Sequence, residues 1–329
     1  MPNTVSARES VTTSIGRRRT QRRVRTGVVA ACLFGFSISL FSCVAAKPVE
    51  FSGLILPATV LPSGTVRVLA FGDQGDGSAA QIQTAAAMVT RQSVAPYDFA
   101  LVLGDNFYEV GVYGVDDPQF DTKFRNVYPA ADLPFRFYVV PGNHDYFGDA
   151  DAEYEYVDPD GRWTAPGIAC VLPVELSDGY RVDFFLVDSE VLVRRDAYAD
   201  AVAAWVRESI RESSADLRVF ACHRPFYSSG THGDTSELLF YFSRELADGR
   251  IDVAVAGHDH DLELQRRDAN GDGRDELFLI SGAAARTRSI SPGPYTTYSA
   301  GITGFVTLEI SAATVSVAFY DSFAFRLDL

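Results

Sequence analysis

From about residue 65 onward the chain alternates short apolar runs with amphipathic stretches. The runs Val66–Phe71, Phe99–Leu103, Phe135–Val140, Val182–Val187, Leu217–Ala221, Ile251–Ala256 and Leu277–Ile280 are short, predominantly apolar and rich in β-branched and aromatic residues, which predicts buried strands. Ala79–Thr90, Pro118–Tyr128, Ala197–Glu212 and Ser236–Leu246 carry helical patterns between several of them, so strands and helices alternate as in an α/β layered fold. Phe305–Ile310 and Val315–Tyr320 flank Ser311-Ala312-Ala313-Thr314 and read as a hairpin extending a second sheet. The expected fold is α/β, a layered αββα sandwich of two mixed β-sheets packed face to face with helices outside.

The N-terminus follows another pattern. Arg17, Arg18, Arg19, Arg22, Arg23 and Arg25 precede an apolar run from Gly27 to Ser42. A basic segment followed by a run of about 16 apolar residues, shorter than the roughly 20 of a bilayer-spanning helix, reads as an export signal over residues 1–46. Leu40-Phe41-Ser42-Cys43 resembles a lipobox, which implies cleavage before Cys43 and a lipid anchor. Val44-Ala45-Ala46 offers the alternative, ordinary cleavage and secretion. The expected location is periplasmic or cell-surface, or else secreted. Residues 47–64, with Pro48, Pro57 and Pro62, read as a tether or an edge strand. Residues 65–329 form the single predicted domain.

Charge narrows the partners. Residues 1–42 hold seven of the 29 basic and one of the 43 acidic residues, so their removal leaves 22 against 42, a net charge near −20. Such a surface repels nucleic acid and anionic membranes, so no nucleic-acid partner is expected and no membrane contact beyond a lipid anchor. Of the cysteines, Cys170 and Cys222 remain, either as a disulfide or as two buried thiols.

The chemistry sits where the strands end. Successive strands run into Gly72-Asp73-Gln74-Gly75, Gly104-Asp105-Asn106-Phe107-Tyr108, Gly142-Asn143-His144-Asp145, Cys222-His223-Arg224-Pro225 and Gly257-His258-Asp259-His260. Ligands of open α/β sheets bind beyond the carboxyl ends of strands, and in four of the five loops a glycine before the polar residue frees the backbone to turn. All five histidines, His144, His223, His232, His258 and His260, fall in these loops or one turn later. Packing alone does not explain that concentration.

These motifs resemble the calcineurin-like metallophosphoesterases, and the Gly104–Tyr108 and Gly257–His260 loops resemble the purple, tartrate-resistant acid phosphatases. The resemblance covers Val66 to about Tyr320. It implies that Asp73, Tyr108 and His260 hold one metal, that Asn143, His223 and His258 hold another, and that Asp105 bridges them. Carboxylates with a phenolate suit a trivalent ion, and imidazoles with an amide suit a borderline divalent one. Fe(III) paired with Fe(II), Zn(II) or Mn(II) is therefore the expected centre, with a purple phenolate-to-iron band. The alternative for Tyr108 is a core aromatic.

Two cations can activate a water and clamp a phosphate, so the expected reaction is direct attack of a metal-bound hydroxide on a phosphate monoester. A phosphodiesterase or nucleotidase on the same centre is the alternative, and a non-catalytic metal- or phosphate-binding lipoprotein the third reading. No Gly-x-Ser-x-Gly elbow offers a covalent route. The resemblance places His144 and His232 at the substrate phosphate, with binding and general-acid roles. His232, on a Ser/Gly-rich loop, could instead be solvated.

Arg224 stands where the resembling enzymes usually carry an uncharged residue, to touch substrate or to pair with an acid. Asp145, Asp259 and Asp261 are candidate acceptors for histidine ring N–H groups. Asp268, Asn270, Asp272 and Glu276 resemble a structural Ca(II) loop, while Asn270-Gly271 and Asp272-Gly273 equally signal a β-hairpin turn.

Overall fold

A computed structural model describes residues 12–13 and 49–327 of the chain. In chain order its main strands are β1 (Thr65–Phe71), β2 (Phe99–Leu103), β3 (Arg136–Val140), β4 (Trp163–Thr164), β5 (Ala169–Glu175), β6 (Arg181–Val187), β7 (Leu217–Cys222), β8 (Val253–Ala256), β9 (Leu262–Arg267), β10 (Glu276–Ser281), β11 (Thr296–Ala300), β12 (Gly304–Ser311) and β13 (Val315–Asp321). The helices are α1 (Ala79–Val94), α2 (Ala150–Glu155), α3 (Ser189–Val193), α4 (Ala197–Glu212) and α5 (Ser236–Ala247).

The strands form two mixed sheets. In the first, β1 to β4 run parallel in sequence order, and β12 and β13 add antiparallel at the free edge of β1. In the second, β6, β7, β8 and β10 are parallel, with β5 antiparallel at one side and β9 and β11 at the other. The C-terminal hairpin thus completes the first sheet rather than extending another.

Period-two alternation sorts each strand between two cores. Val66, Val68 and Ala70 of β1 join Phe99, Leu101, Phe184, Leu186, Val219 and Val255 between the sheets. Leu69 and Phe71 face outward to α1 and to the aromatics Phe120, Phe124, Tyr128 and Trp163. Phe185, Phe220 and Phe278 face α4 and α5 on the far side. The result is the αββα sandwich, in which each fully buried Leu or Phe contributes about 1.5–3 kcal/mol.

α4 keeps its predicted bounds, and Asp196 caps it by accepting from Tyr198 N and Ala199 N. The stretch predicted as a helix over Pro118–Tyr128 forms only a six-residue π-type turn, Phe120–Arg125, bounded by Pro118 and Pro129. Four strands, β4, β5, β9 and β11, escaped the sequence pattern. β5 contains Pro173, which cannot donate to a ladder, and β11 is polar and partly exposed.

Leu54–Ile55 and Thr59–Val60 pair with β5, and Phe51 packs edge-on against Tyr198 and Trp205. The segment read as an export signal lies outside the described residues except for Thr12–Thr13, which pairs with β13. Cys170 and Cys222 are both free and buried. They lie in different cores, Cys170 between the sheets and Cys222 on the α4/α5 side, so the disulfide alternative is wrong.

Candidate metal centre

The loops after β1, β2, β3, β7 and β8 meet at one edge of the sandwich. Asp73, Asp105 and His258 have positive φ values of 58°, 52° and 70°, each costing about 1–2 kcal/mol for a residue with a Cβ. This strain turns the three side chains toward a common point. The neighbouring glycines have a second reason beyond turn freedom. A Cβ on Gly142 would lie 2.3 Å from both N and Oδ1 of Asp105, and one on Gly104 would lie 2.6 Å from His223 Nδ1.

Two groups of donors result. In the first, Tyr108 Oη lies 2.9 Å from Asp73 Oδ1, 2.7 Å from Asp105 Oδ2 and 3.1 Å from His260 Nε2. In the second, His223 Nε2 lies 3.1 Å from both Asn143 Oδ1 and His258 Nδ1. Asp105 joins them, because its Oδ1 is 3.4 Å from His223 Nε2 while its Oδ2 faces Tyr108. Ligand atoms of Asp73, Asp105 and His260 all lie within 4.8 Å of one another, as a cation site requires. The seven predicted ligands thus lie around one place, with the hydroxyl of the buried Tyr108 directed at Asp73, Asp105 and His260.

Hydrogen bonding fixes which histidine atoms face inward. His223 donates Nδ1–H to the Leu103 carbonyl at 2.8 Å, which leaves the Nε2 lone pair aimed into the site. His144 likewise donates Nδ1–H to the Glu109 carbonyl at 2.8 Å, and its Nε2 stands 4.0 Å from Asp105 Oδ2. Burial, then the neighbouring His223 and Arg224, hold His258 well below the ordinary imidazole range and keep it neutral, as a ligand must be. Burial and the carboxylates of Asp73 and Asp105 push the Tyr108 phenol up, and burial pushes Asp73 up. A cation reverses both tendencies. Buried lone pairs of two carboxylates, an amide oxygen and several imidazoles converge here with few protein donors among them, which fits a pair of cations.

The acids beside the ligands do something other than orient imidazoles. Asp145 accepts from the backbone N–H groups of Asn106, Phe107 and Gly142 at 2.7–3.0 Å, tying the second and third loops together. Asp259 accepts from Ser228 Oγ and from His232 N, and both oxygens of Asp261 lack a hydrogen-bond donor. Backbone carbonyls take the ring N–H groups of His144 and His223 instead.

His144 and His232 flank the centre, His144 packed on Tyr108 with centroids 4.5 Å apart and His232 stacked on His258 at 4.3 Å. Three contacts were not legible in sequence. Glu190 pairs with Arg224, Arg286 lies 4.2 Å from the Tyr108 ring centroid, and Arg288 contacts His232. Far from this edge, Asp268, Asn270, Asp272 and Glu276 accept from N–H groups of their own turn between β9 and β10 or from one another, the behaviour of a hairpin turn.

The comparisons agree with this geometry. Residues 66–262 match the family model described as calcineurin-like phosphoesterase, and the chain belongs to that family. Purple acid phosphatase 3 of Arabidopsis thaliana is 31% identical, over 83% of this chain and 79% of its own length. Tartrate-resistant acid phosphatase type 5 of Homo sapiens is 28% identical, over 82% and 93%. Among solved structures, "GAP50 the anchor in the inner membrane complex of Plasmodium" superposes with a TM-score of 0.72 at 21% identity, over 80% of this chain and 88% of that one. The purple acid phosphatase PPD1 of yellow lupin (Lupinus luteus) gives 0.58 at 16% identity, over 82% and 54%. The protein is a metal-dependent phosphoesterase.

Proposed function

We propose that the chain hydrolyses phosphate monoesters of small molecules at a dinuclear centre. In this reading Asp73, Tyr108 and His260 hold an Fe(III), Asn143, His223 and His258 hold Fe(II), Zn(II) or Mn(II), and Asp105 serves both. The observation that carries it is Asp105, which offers one carboxylate oxygen to each donor group. When bound, the cations supply charge neutralisation of phosphate oxygens and activation of water. The protein supplies the rest.

His144 and His232 lie on opposite sides of the centre, placed to hold phosphate oxygens and to bring a proton to the leaving oxygen. The His144 backbone N–H donates to Asp105 Oδ1 at 2.8 Å and fixes that carboxylate. Export, with or without a lipid anchor at Cys43, is part of the same reading, and no helix among the described residues is long and apolar enough to cross a membrane. A fold neighbour described as an anchor is a reminder that this fold does not dictate turnover. The complete donor set favours catalysis here.

The test is a visible spectrum with metal analysis of the purified protein, followed by turnover of p-nitrophenyl phosphate and of its bis ester. A purple band that Tyr108→Phe abolishes, two metals per chain and a preference for the monoester are expected. Two metals without the band would move the assignment to a diesterase-type centre, and no bound metal would refute the dinuclear reading.

A further inference from the structure

Charge balance around the mouth singles out two arginines. Arg286 is paired with Asp76 and Glu109. Arg224 is held by the buried carboxylate of Glu190, which accepts from Nε at 2.6 Å and from Nη2 at 3.0 Å. This bidentate grip fixes the guanidinium plane and leaves Nη1 directed at His258 Nε2, 3.3 Å away. Arg288 has no carboxylate within ion-pair distance among the described residues. Its guanidinium contacts His232 Nε2, and its backbone N–H donates to the His260 carbonyl at 2.7 Å. An unpaired guanidinium is notable in a chain of net charge −14.

The two cations share one flank. His232 and His258 stack face to face, and a guanidinium addresses Nε2 of each ring. An arginine can only donate. Once His258 turns the lone pair of Nδ1 to a cation, its Nε2 carries the proton and cannot accept from Arg224. Nη1 of Arg224 then lacks an acceptor, as the Arg288 guanidinium lacks an anion. Among the described residues no such pair lies on the opposite flank, where Arg286 is already neutralised by Asp76 and Glu109.

Resting on the phosphatase reading, we propose that Arg224 and Arg288 form a second anion subsite on the His258/His232 flank, which takes substrates whose leaving group carries a phosphate of its own. The scissile phosphate lies over the donor groups, and the second phosphate meets the two guanidiniums. Arg224 is pre-set for this by Glu190, so little ordering is required on binding.

Calorimetric titration of the metal-loaded protein with methylenediphosphonate and with orthophosphate measures the preference for two phosphates over one without any turnover. Arg288→Gln and the charge-balanced double variant Glu190→Gln/Arg224→Gln, which avoids stranding a buried carboxylate, are each expected to lower that preference about tenfold, with metal content and melting temperature retained. The pyrophosphate to p-nitrophenyl phosphate ratio of kcat/KM should fall in parallel. A preference unchanged in both variants overturns the subsite, and one unchanged in a single variant removes that arginine from it. A wild-type protein that hydrolyses neither compound refutes the phosphatase reading, while the binding preference still judges the subsite.

Discussion

Two sets of buried carboxylates lie close together in this molecule and are treated in opposite ways. Asp73 and Asp105 each accept one backbone N–H, from His258 and His144, and otherwise face a shared phenol and imidazole nitrogens. Asp145 and Glu153, which follow β3, and Asp188, which follows β6, face protein donors. Asp145 takes three backbone N–H groups, Glu153 takes the Asn106 amide at 2.8 Å, and Asp188 takes the hydroxyls of Tyr146 and Tyr154 at 2.6 Å each. Burial costs both sets alike. The second set takes its donors from the fold, although burial still raises all three carboxyls, whereas the first converges on a shared phenol and on imidazole nitrogens, where a cation fits. Burial of a carboxylate is thus no sign of a metal ligand; what it faces decides.

Asp105→Asn gives the largest expected break in this contrast. It removes the one carboxylate common to both donor groups, and turnover should fall by about a thousandfold or more with loss of bound metal. Parallel measurement of kcat and metal content checks this. A variant that kept two metals and near wild-type turnover would end the role assigned to Asp105.

His232→Ala comes next. It touches the centre only through the face of His258, so turnover of p-nitrophenyl phosphate should drop about a hundredfold with two metals still bound. Loss of metal would make His232 a structural support instead.

The same contrast explains how much could be read from sequence. Asp73, Asp105, Asn143, His223, His258 and His260 each follow a buried apolar run that itself announces a strand, so their meeting point was implied by the alternation of strands and helices. Tyr108 is three residues beyond Asp105, and only family resemblance marked it. Partners such as Glu190 with Arg224 or Asp188 with Tyr146 and Tyr154 are 34 to 42 residues apart and meet through loop conformation, which no local periodicity encodes. Asp145 was misread for the same reason: adjacency to a histidine suggested a ring N–H partner, but the tight turn after β3 presents it to backbone amides. Likewise, the helical pattern over Pro118–Tyr128 gave way to aromatic packing against Phe137 and Trp163.

The smallest expected effect lies in the second set and concerns stability alone. Burial raises the Asp188 carboxyl to about 6 from an ordinary 3.8, against the opposing pull of the Tyr146 and Tyr154 hydroxyls. Between those values the folded state binds more protons than the unfolded, so Asp188 makes the protein less stable as pH rises from about 4 to about 6, by roughly 3 kcal/mol in all. An asparagine resembles the protonated side chain at every pH. Relative to wild type, Asp188→Asn should therefore gain roughly 3 kcal/mol between pH 4 and pH 7, read as the difference in denaturant unfolding at the two pH values, with metal content unchanged. A difference that stays flat with pH would mean that the two tyrosine hydroxyls hold Asp188 ionised throughout, and that the fold compensates this carboxylate even more fully than its burial suggests.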